Sequence, residues 1–509
     1  MSFRRHRSGG VVPPGKLWTP RDGGEGRRSG YGGHRAGFSR RRFLSSSLGL
    51  GAGLAGGGAF LTACGNDNGD GPGAGTGGDV GTSNDVIDFW QWYAPQEGGG
   101  YAVEAQSDWF LDLVDEWNAR GGVQVALTYI PVSEYIEGTQ LQSAFSAGSG
   151  PDLFVISPGD FLRYYNGDVL YDLTDALGDG IDDFYESALS TRVVDGRVYG
   201  IPMESEPLTM FYSVAAFEEA GLSEGDIPQT WDQLLDVADK LTTGDQFGVL
   251  FETTPNVYQN FTWYPFLWQA GGDVVNETGL ASAFDSPATA AALGFWQEAI
   301  DAGVAPRTMQ GGGGGDLVSN MPSGYAAMAQ MVTAGGSFLE EGAPDFEYGM
   351  FPLPVPDTSA DPITDMGGWA FCVNKNSPHA EAAAEFCAWA LAGEESVDRL
   401  VTWAFDAKKS LPVRKSVMQK ANDDGLFDQD ELMAYAAFDV LGLDPGNLDS
   451  DDTPYGRGEP RFTPEVVQAV TDAIQDAQLN GVDPAQAAAD AHGRINDALA
   501  DYDGAPLGS

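Results

Sequence analysis

Residues 85–156 alternate between strand-like and helical patterns, and that alternation limits the folds open to the chain more than any other feature. Residues 85–93 (DVIDFWQWY) read as a β-rich run ending in aromatics. Phe110, Leu113, Val114 and Trp117 then fall at i, i+3, i+4 and i+7, one apolar helical face, and Gly121-Gly122 stops the helix. Residues 123–132 form a second strand with alternating apolar positions. A helix follows over 134–147, and residues 152–156 give a third strand. This β-α-β-α-β order predicts an α/β fold with parallel strands and right-handed crossovers. The pattern continues with a helix over 231–241, a strand over 247–251 and a helix opened by Ser286-Pro287. Helices over 378–391, 394–404, 414–421, 429–440, 464–479 and 484–500 make the end of the chain helical. The glycine run 311–315 lacks both the strand-to-helix context and the Lys-Ser/Thr of a phosphate loop, so it reads as a mobile loop.

The start of the chain bears on location. Ser39-Arg40-Arg41-Arg42-Phe43-Leu44, with its Arg40-Arg41 pair, resembles a twin-arginine export signal, and Leu61-Thr62-Ala63-Cys64 resembles a lipobox. Residues 1–63 are thus expected to be removed and Cys64 lipidated, with 64–84 as a Gly/Asp-rich tether. Glycine and serine dilute the apolar run between the two motifs, which argues against a retained membrane helix. The leader carries ten Arg and one Lys against two acidic residues. The remainder therefore holds 16 basic and 72 acidic side chains, a formal net charge of −56. Such a surface repels nucleic acid and anionic headgroups, and mutual repulsion screened by salt suits brine. Cys372 and Cys387 form either two buried thiols or a disulfide. With His6, His34, His379 and His492 scattered, no histidine-built metal site and no cofactor is expected.

A series of short motifs, in order, then carries a resemblance. They include Gly150-Pro151-Asp152-Leu153-Phe154, Asp195-Gly196-Arg197-Val198-Tyr199-Gly200-Ile201-Pro202, Phe217-Glu218-Glu219-Ala220-Gly221-Leu222 and Thr230-Trp231-Asp232-Gln233-Leu234. Gln269-Ala270-Gly271-Gly272-Asp273, Phe284-Asp285-Ser286-Pro287, Gly367-Gly368-Trp369 and Leu411-Pro412-Val413-Arg414 follow. Together they resemble the family 1 extracellular solute-binding proteins, the sugar-capturing components of ABC importers. The resemblance implies a two-lobed periplasmic-binding-protein-like fold of type II, with each lobe a sheet flanked by helices and hinge strands between them. By that analogy one lobe combines 85–202 with 370–408, and the other combines 203–369 with 409–505. Tyr212-Ser213 and Val332-Thr333 depart from the family's Tyr-Asn and Trp, and the 430–460 stretch stands apart from the pattern.

A sugar offers hydroxyls at its rim and C–H faces above and below, so its site needs carboxylates, amides, Arg and aromatic faces. Gln91, Trp92 and Tyr93 end the first strand, where the cleft would open; core packing is the other reading of Trp92. The resemblance implies hydroxyl-binding roles for Asp160, otherwise a helix N-cap, and for Glu204 at the first crossing, with Glu206 as its alternate. Gly368 lets a ligand approach the backbone beside Trp369, which either stacks on the ligand or packs against Phe371. Trp263, Trp403 and Arg414 are further contacts, though some of Trp263, Tyr264 and Trp268 on their helical segment are core. The chain is thus expected to be a monomeric sugar or polyol receptor that delivers to ABC permease subunits. It would stand at the outer face of the cytoplasmic membrane without being an enzyme. The alternatives are a secreted carbohydrate-active enzyme and a surface sensor. Glu204 and Glu206 are taken to point to opposite sides of the extended chain, a poor acid–base pair for one scissile bond.

Overall fold

The three strands expected near the start form and lie parallel: β1 (Val86–Gln91) between β2 (Gln124–Tyr129) and β3 (Leu153–Ile156). Helix Glu104–Ala119 makes the first crossover and buries Phe110, Leu113, Val114 and Trp117, the face its spacing announced. The computed structural model describes residues 85–93, 103–131, 135, 139–311 and 315–508. The leader, Arg40, Arg41, Cys64 and the tether therefore lie outside the described residues, as do most of 132–138 and Gly312 to Gly314 of the glycine run.

A hairpin of β4 (Val193–Val194) and β5 (Arg197–Val198) precedes β6 (Ile201–Pro202). Strand β6 joins the first sheet through β12 (Ala370–Val373), giving the order β2-β1-β3-β12-β6. The second sheet is built on β7 (Glu206–Ser213), all eight residues of which are buried. Along its length β7 pairs antiparallel with β9 (Ala326–Val332), β10 (Tyr348–Phe351) and β11 (Thr364–Gly367). Strand β8 (Phe247–Leu250) lies parallel to β9, and β13 (Gly456–Gly458) lies parallel to β11. The chain passes between the sheets at 203–205 and at Gly368-Trp369. Near the third passage, Ser205 and Leu411 exchange backbone hydrogen bonds of 2.9 Å.

Helix starts follow the capping residues. The side chains of Thr230, Ser286, Thr463 and Asp483 accept backbone N–H groups at the starts of Trp231–Leu241, Pro287–Asp301, Pro464–Gln478 and Pro484–Leu499. The stretches 394–404 and 429–440 are less regular than their pattern predicts. Each breaks into short pieces ending in a π-helix, Trp403–Lys408 and Ala436–Val440. Five of the six residues of Trp403–Lys408 are buried, an inward load that a surface helix with one polar face does not carry. Cys372 and Cys387 are free, buried thiols, so the disulfide does not form. Among the described residues no helix is long and apolar enough to cross a membrane.

Gly248 of β8 marks where helix Trp231–Leu241 lies tightest on the second sheet, because a Cβ there would overlap the backbone of Ala238. Gly248→Ala is expected to cost ~1–3 kcal/mol through overpacking, read as a lower denaturation midpoint with an unchanged m-value.

Candidate functional site

Between the two sheets lies a cavity of about 100 Å³ whose lining comes from both. Trp92, Ser157 and Asp160 reach it from loops that follow β1 and β3. Glu206 reaches it from the first residue of β7, and Gly368 and Trp369 from the second passage. Lys408 enters from the end of the π-helix, and Glu459 from just beyond β13. Tyr258, Phe261, Met331 and Phe338 supply the apolar wall on the side of the second sheet. Ring faces surround carboxyl groups and one ammonium, so the lining offers both apolar faces and polar partners.

Lys408 organises the polar half. It is 2% exposed, and its Nζ stands 3.2 Å from Glu206 Oε1, so it forms a buried ion pair. The same ammonium lies 5.0 Å from the Trp92 ring centre, 5.1 Å from Tyr93 and 5.7 Å from Phe338. Trp92 stacks on Tyr93 at 3.9 Å and meets Trp369 edge-on at 5.6 Å. Glu204 stands behind this group with both carboxylate oxygens engaged. Trp369 N–H donates to Oε1 and Trp403 Nε1–H donates to Oε2, each at 2.8 Å. Burial, and then the charge of Glu206, push the Glu204 carboxyl up to about 7, while Lys408 pulls it down. Positions i and i+2 of an extended chain share a face, so opposite sides are not what the spacing of Glu204 and Glu206 implies. Glu206 pairs with Lys408 and lines the cavity, while Glu204 is held behind it by Trp369 and Trp403.

Asp160 caps nothing with its side chain. It lines the cavity, 3.4 Å from Arg163, and burial raises its carboxyl pKa against that arginine's pull. Gly368 adopts φ +130°, and a Cβ there would overlap the Glu204 carbonyl, so glycine is required at the passage. Its own carbonyl accepts from Arg192 Nη2 at 2.7 Å.

Of the residues singled out in the sequence, the cavity gathers Trp92, Asp160, Glu206, Gly368 and Trp369. Tyr93, Glu204 and Trp403 form the layer behind it, and Gln91 is fully buried, its amide oxygen accepting from Tyr93 N–H. Two positions are corrections. Trp263 is fully buried in the core with its indole N–H on Ala292 O, 5.8 Å from Phe284. Arg414 is a clamp: it donates to Asp183, Ser396 and the carbonyls of Leu391 and Gly393, leaving its charge spent within the chain. Lys408, Glu459, Tyr258 and Phe338 were missed. Only Lys408 carried a signal, as half of a lysine pair closing an apolar run in a chain with few basic residues.

Replacing Lys408 by Met leaves Glu206 buried and unpaired and removes the pull that lowers Glu204. The expected outcome is a loss of ~3–5 kcal/mol in urea unfolding at pH 8. A tryptophan-fluorescence titration should also show the transition of Glu204, which contacts Trp369 and Trp403, moving above its position near 7. An unmoved transition would sink the assignment.

Residues 101–395, more than half of the chain, match the model of the bacterial extracellular solute-binding protein family. A binding protein of Brucella abortus is 27% identical over 229 residues, 43% of this chain and 54% of that protein, so the chain spans about half the length of the first curated relatives it matches. The arabinooligosaccharide-binding protein of Halalkalibacterium halodurans is 28% identical over 328 residues, covering 62% of this chain and 72% of the relative. In three dimensions the chain is similar to the cyclic alpha-maltosyl-1,6-maltose binding protein of Arthrobacter globiformis. The TM-score is 0.64 at 24% identity, over 82% of this chain and 99% of that one, and the likeness shows the two-lobed fold. With the motif order, the paired sheets and the cavity between them, these matches place the chain in the family of bacterial extracellular solute-binding proteins.

Proposed function

We propose that the protein captures a sugar between its lobes and hands it to the permease of an ABC importer, without turning it over. The observation that carries this reading is the cavity itself: carboxyl groups and aromatic rings from both sheets meet around a space that neither sheet encloses alone. A solute seated there touches both lobes, so it stabilises the closed form over the open one, and that difference is the signal a permease can read. In this reading the lobes are 85–202 with 370–408 and 203–369 with 409–505, and the strand order of the two sheets supports it for their strands. Asp160 and Glu206 are the hydroxyl-binding carboxyls in this reading, and Trp92 and Trp369 the stacking faces. Glu204, Tyr93 and Trp403 position them. Export through Arg40 and Arg41, a lipid on Cys64 and life in salty surroundings complete the picture, with the protein acting as a monomer outside the cytoplasmic membrane.

The paired carboxyls do not favour the hydrolase alternative. Both oxygens of Glu204 are held by N–H donors, leaving Glu206 as the only one of the two carboxyls lining the cavity.

Thermal-shift screening against neutral mono- and oligosaccharides, in low and in molar salt, tests the proposal. A ligand at a hundred times its dissociation constant adds about 2.7 kcal/mol to the native state. Trp369→Ala is expected to weaken a hit ~10-fold, the worth of one lost stacking face. A hit that the protein hydrolyses, or one whose affinity is indifferent to Trp369→Ala, Glu206→Gln and Asp160→Asn alike, would overturn it.

A further inference from the structure

The stretch that stood outside the family pattern lies beyond the matched residues 101–395 and crosses from one lobe to the other. Residues 441–461 are anchored to the second sheet by the β13–β11 pairing and by Arg457, which donates to Asp273 at 2.7 Å and lies 4.3 Å from the Trp268 ring centre. From that anchor the segment reaches the other lobe at four points. Tyr185 Oη–H donates to Leu448 O at 2.5 Å, and Glu186 N–H donates to Asp451 Oδ1 at 3.1 Å. Arg461 Nη1–H donates to Val193 O at 2.5 Å. The Glu459 carboxyl lies against Gly159, in the loop after β3, at the rim of the cavity. Two glycines allow the approach. A Cβ on Gly159 would overlap Glu459 Oε1, and one on Gly458 would press on Thr191 and the Ser187 carbonyl.

We propose that residues 441–461 are a strap that holds the lobes closed, with the close contact of the Glu459 carboxyl on Gly159 as its catch at the edge of the cavity. The inference rests on the two-lobed reading of the site and adds a closing device to it. Closure brings Glu459 next to Asp160, itself paired with Arg163, and the other groups facing Glu459 are Arg192, Asp365 with Arg457, and Tyr264. Burial and then the Asp160 charge push Glu459 from 4.5 up to about 8. The closed form therefore holds a proton that an open, solvated Glu459 releases. Its advantage is complete below 4.5 and is lost as pH rises through about 8. The strap is thus a catch that alkaline conditions loosen.

Hydrogen exchange of the full chain by mass spectrometry, without ligand and corrected for intrinsic rates, tests the strap apart from solute capture. In the wild type, the peptide containing Gly159 should lose protection between pH 6 and 9 by ~10-fold or more, while helix Pro464–Gln478 stays protected. Glu459→Gln keeps the acceptor and removes the proton, so its protection should be flat over that range. Tyr185→Phe should speed exchange within 441–461 without touching the cavity. Identical pH profiles in the wild type and Glu459→Gln overturn the catch, and unchanged exchange of 441–461 in Tyr185→Phe overturns the strap. A failed sugar screen would leave both results standing.

Discussion

One ammonium fixes how the two halves of this molecule meet. Lys408 arrives from the π-helix, pairs with Glu206 at the start of β7 and is covered by rings from the end of β1 and from Phe338. Burying two charges costs several kcal/mol per ion, and close pairing repays that cost only with good geometry and further hydrogen bonds. Here the further support comes from π faces on the cation and from Glu204 behind the pair, whose oxygens are held by Trp369 and Trp403. Deleting any member exposes another to an unpaired interior. The passage at 203–206, the Gly368-Trp369 turn and the π-helix therefore behave as one polar unit inside an aromatic shell.

That unit explains which parts of the site were legible in the sequence. Strands β1 to β3 were readable because their apolar runs alternate with a helical period and Gly121-Gly122 punctuates them. The capped helices were readable because Thr230, Ser286 and Thr463 stand at their starts. Trp92, Gly368 and Trp369 were legible because each sits at a strand end or passage, where an α/β fold presents side chains to ligands, and Asp160 and Glu206 through the family resemblance at such positions. Lys408, Glu459, Tyr258 and Phe338 were missed because their placement depends on contacts between segments far apart in the sequence, such as Lys408 with Glu206, Glu459 with Gly159 and Tyr258 with Met331. Arg414 failed for the opposite reason. It sits next to a passage, as a binding residue would, yet its guanidinium is consumed by Asp183 and Ser396. Sequence position locates a side chain near a cleft; only its partners decide whether it faces the ligand.

The acidity of the chain looks different on its surface and in its interior. Outside, excess carboxylates are solvated and screened by salt. Inside, Asp160, Glu204, Asp365 and Glu459 are all held above their ordinary range by burial. Of these, Glu204 and Glu459 are raised to about 7 and 8, and when protonated Glu459 at the cavity rim can donate as well as accept, which widens the hydroxyl geometries a cleft can meet. It also binds protons more tightly in the assembled molecule than in an opened one. The native state is therefore favoured as pH falls through the range set by the values near 7 and 8 for Glu204 and Glu459.

The two carboxyl groups divide the work by where they sit. Glu204 lies at a passage between sheets, bonded on both oxygens, so its protonation is felt by Trp369 and Trp403 and through them by the cavity wall. Glu459 lies on a segment that must approach the other lobe to reach Gly159, so its protonation is felt by closure. A solute that donates to Asp160 or displaces water beside Glu459 alters the surroundings of the second group and leaves the first largely enclosed. Binding in such a site is coupled to the strap by proximity alone: the residue that closes the cavity belongs to the segment that ties the lobes, and whatever fills the cavity acts on both at once.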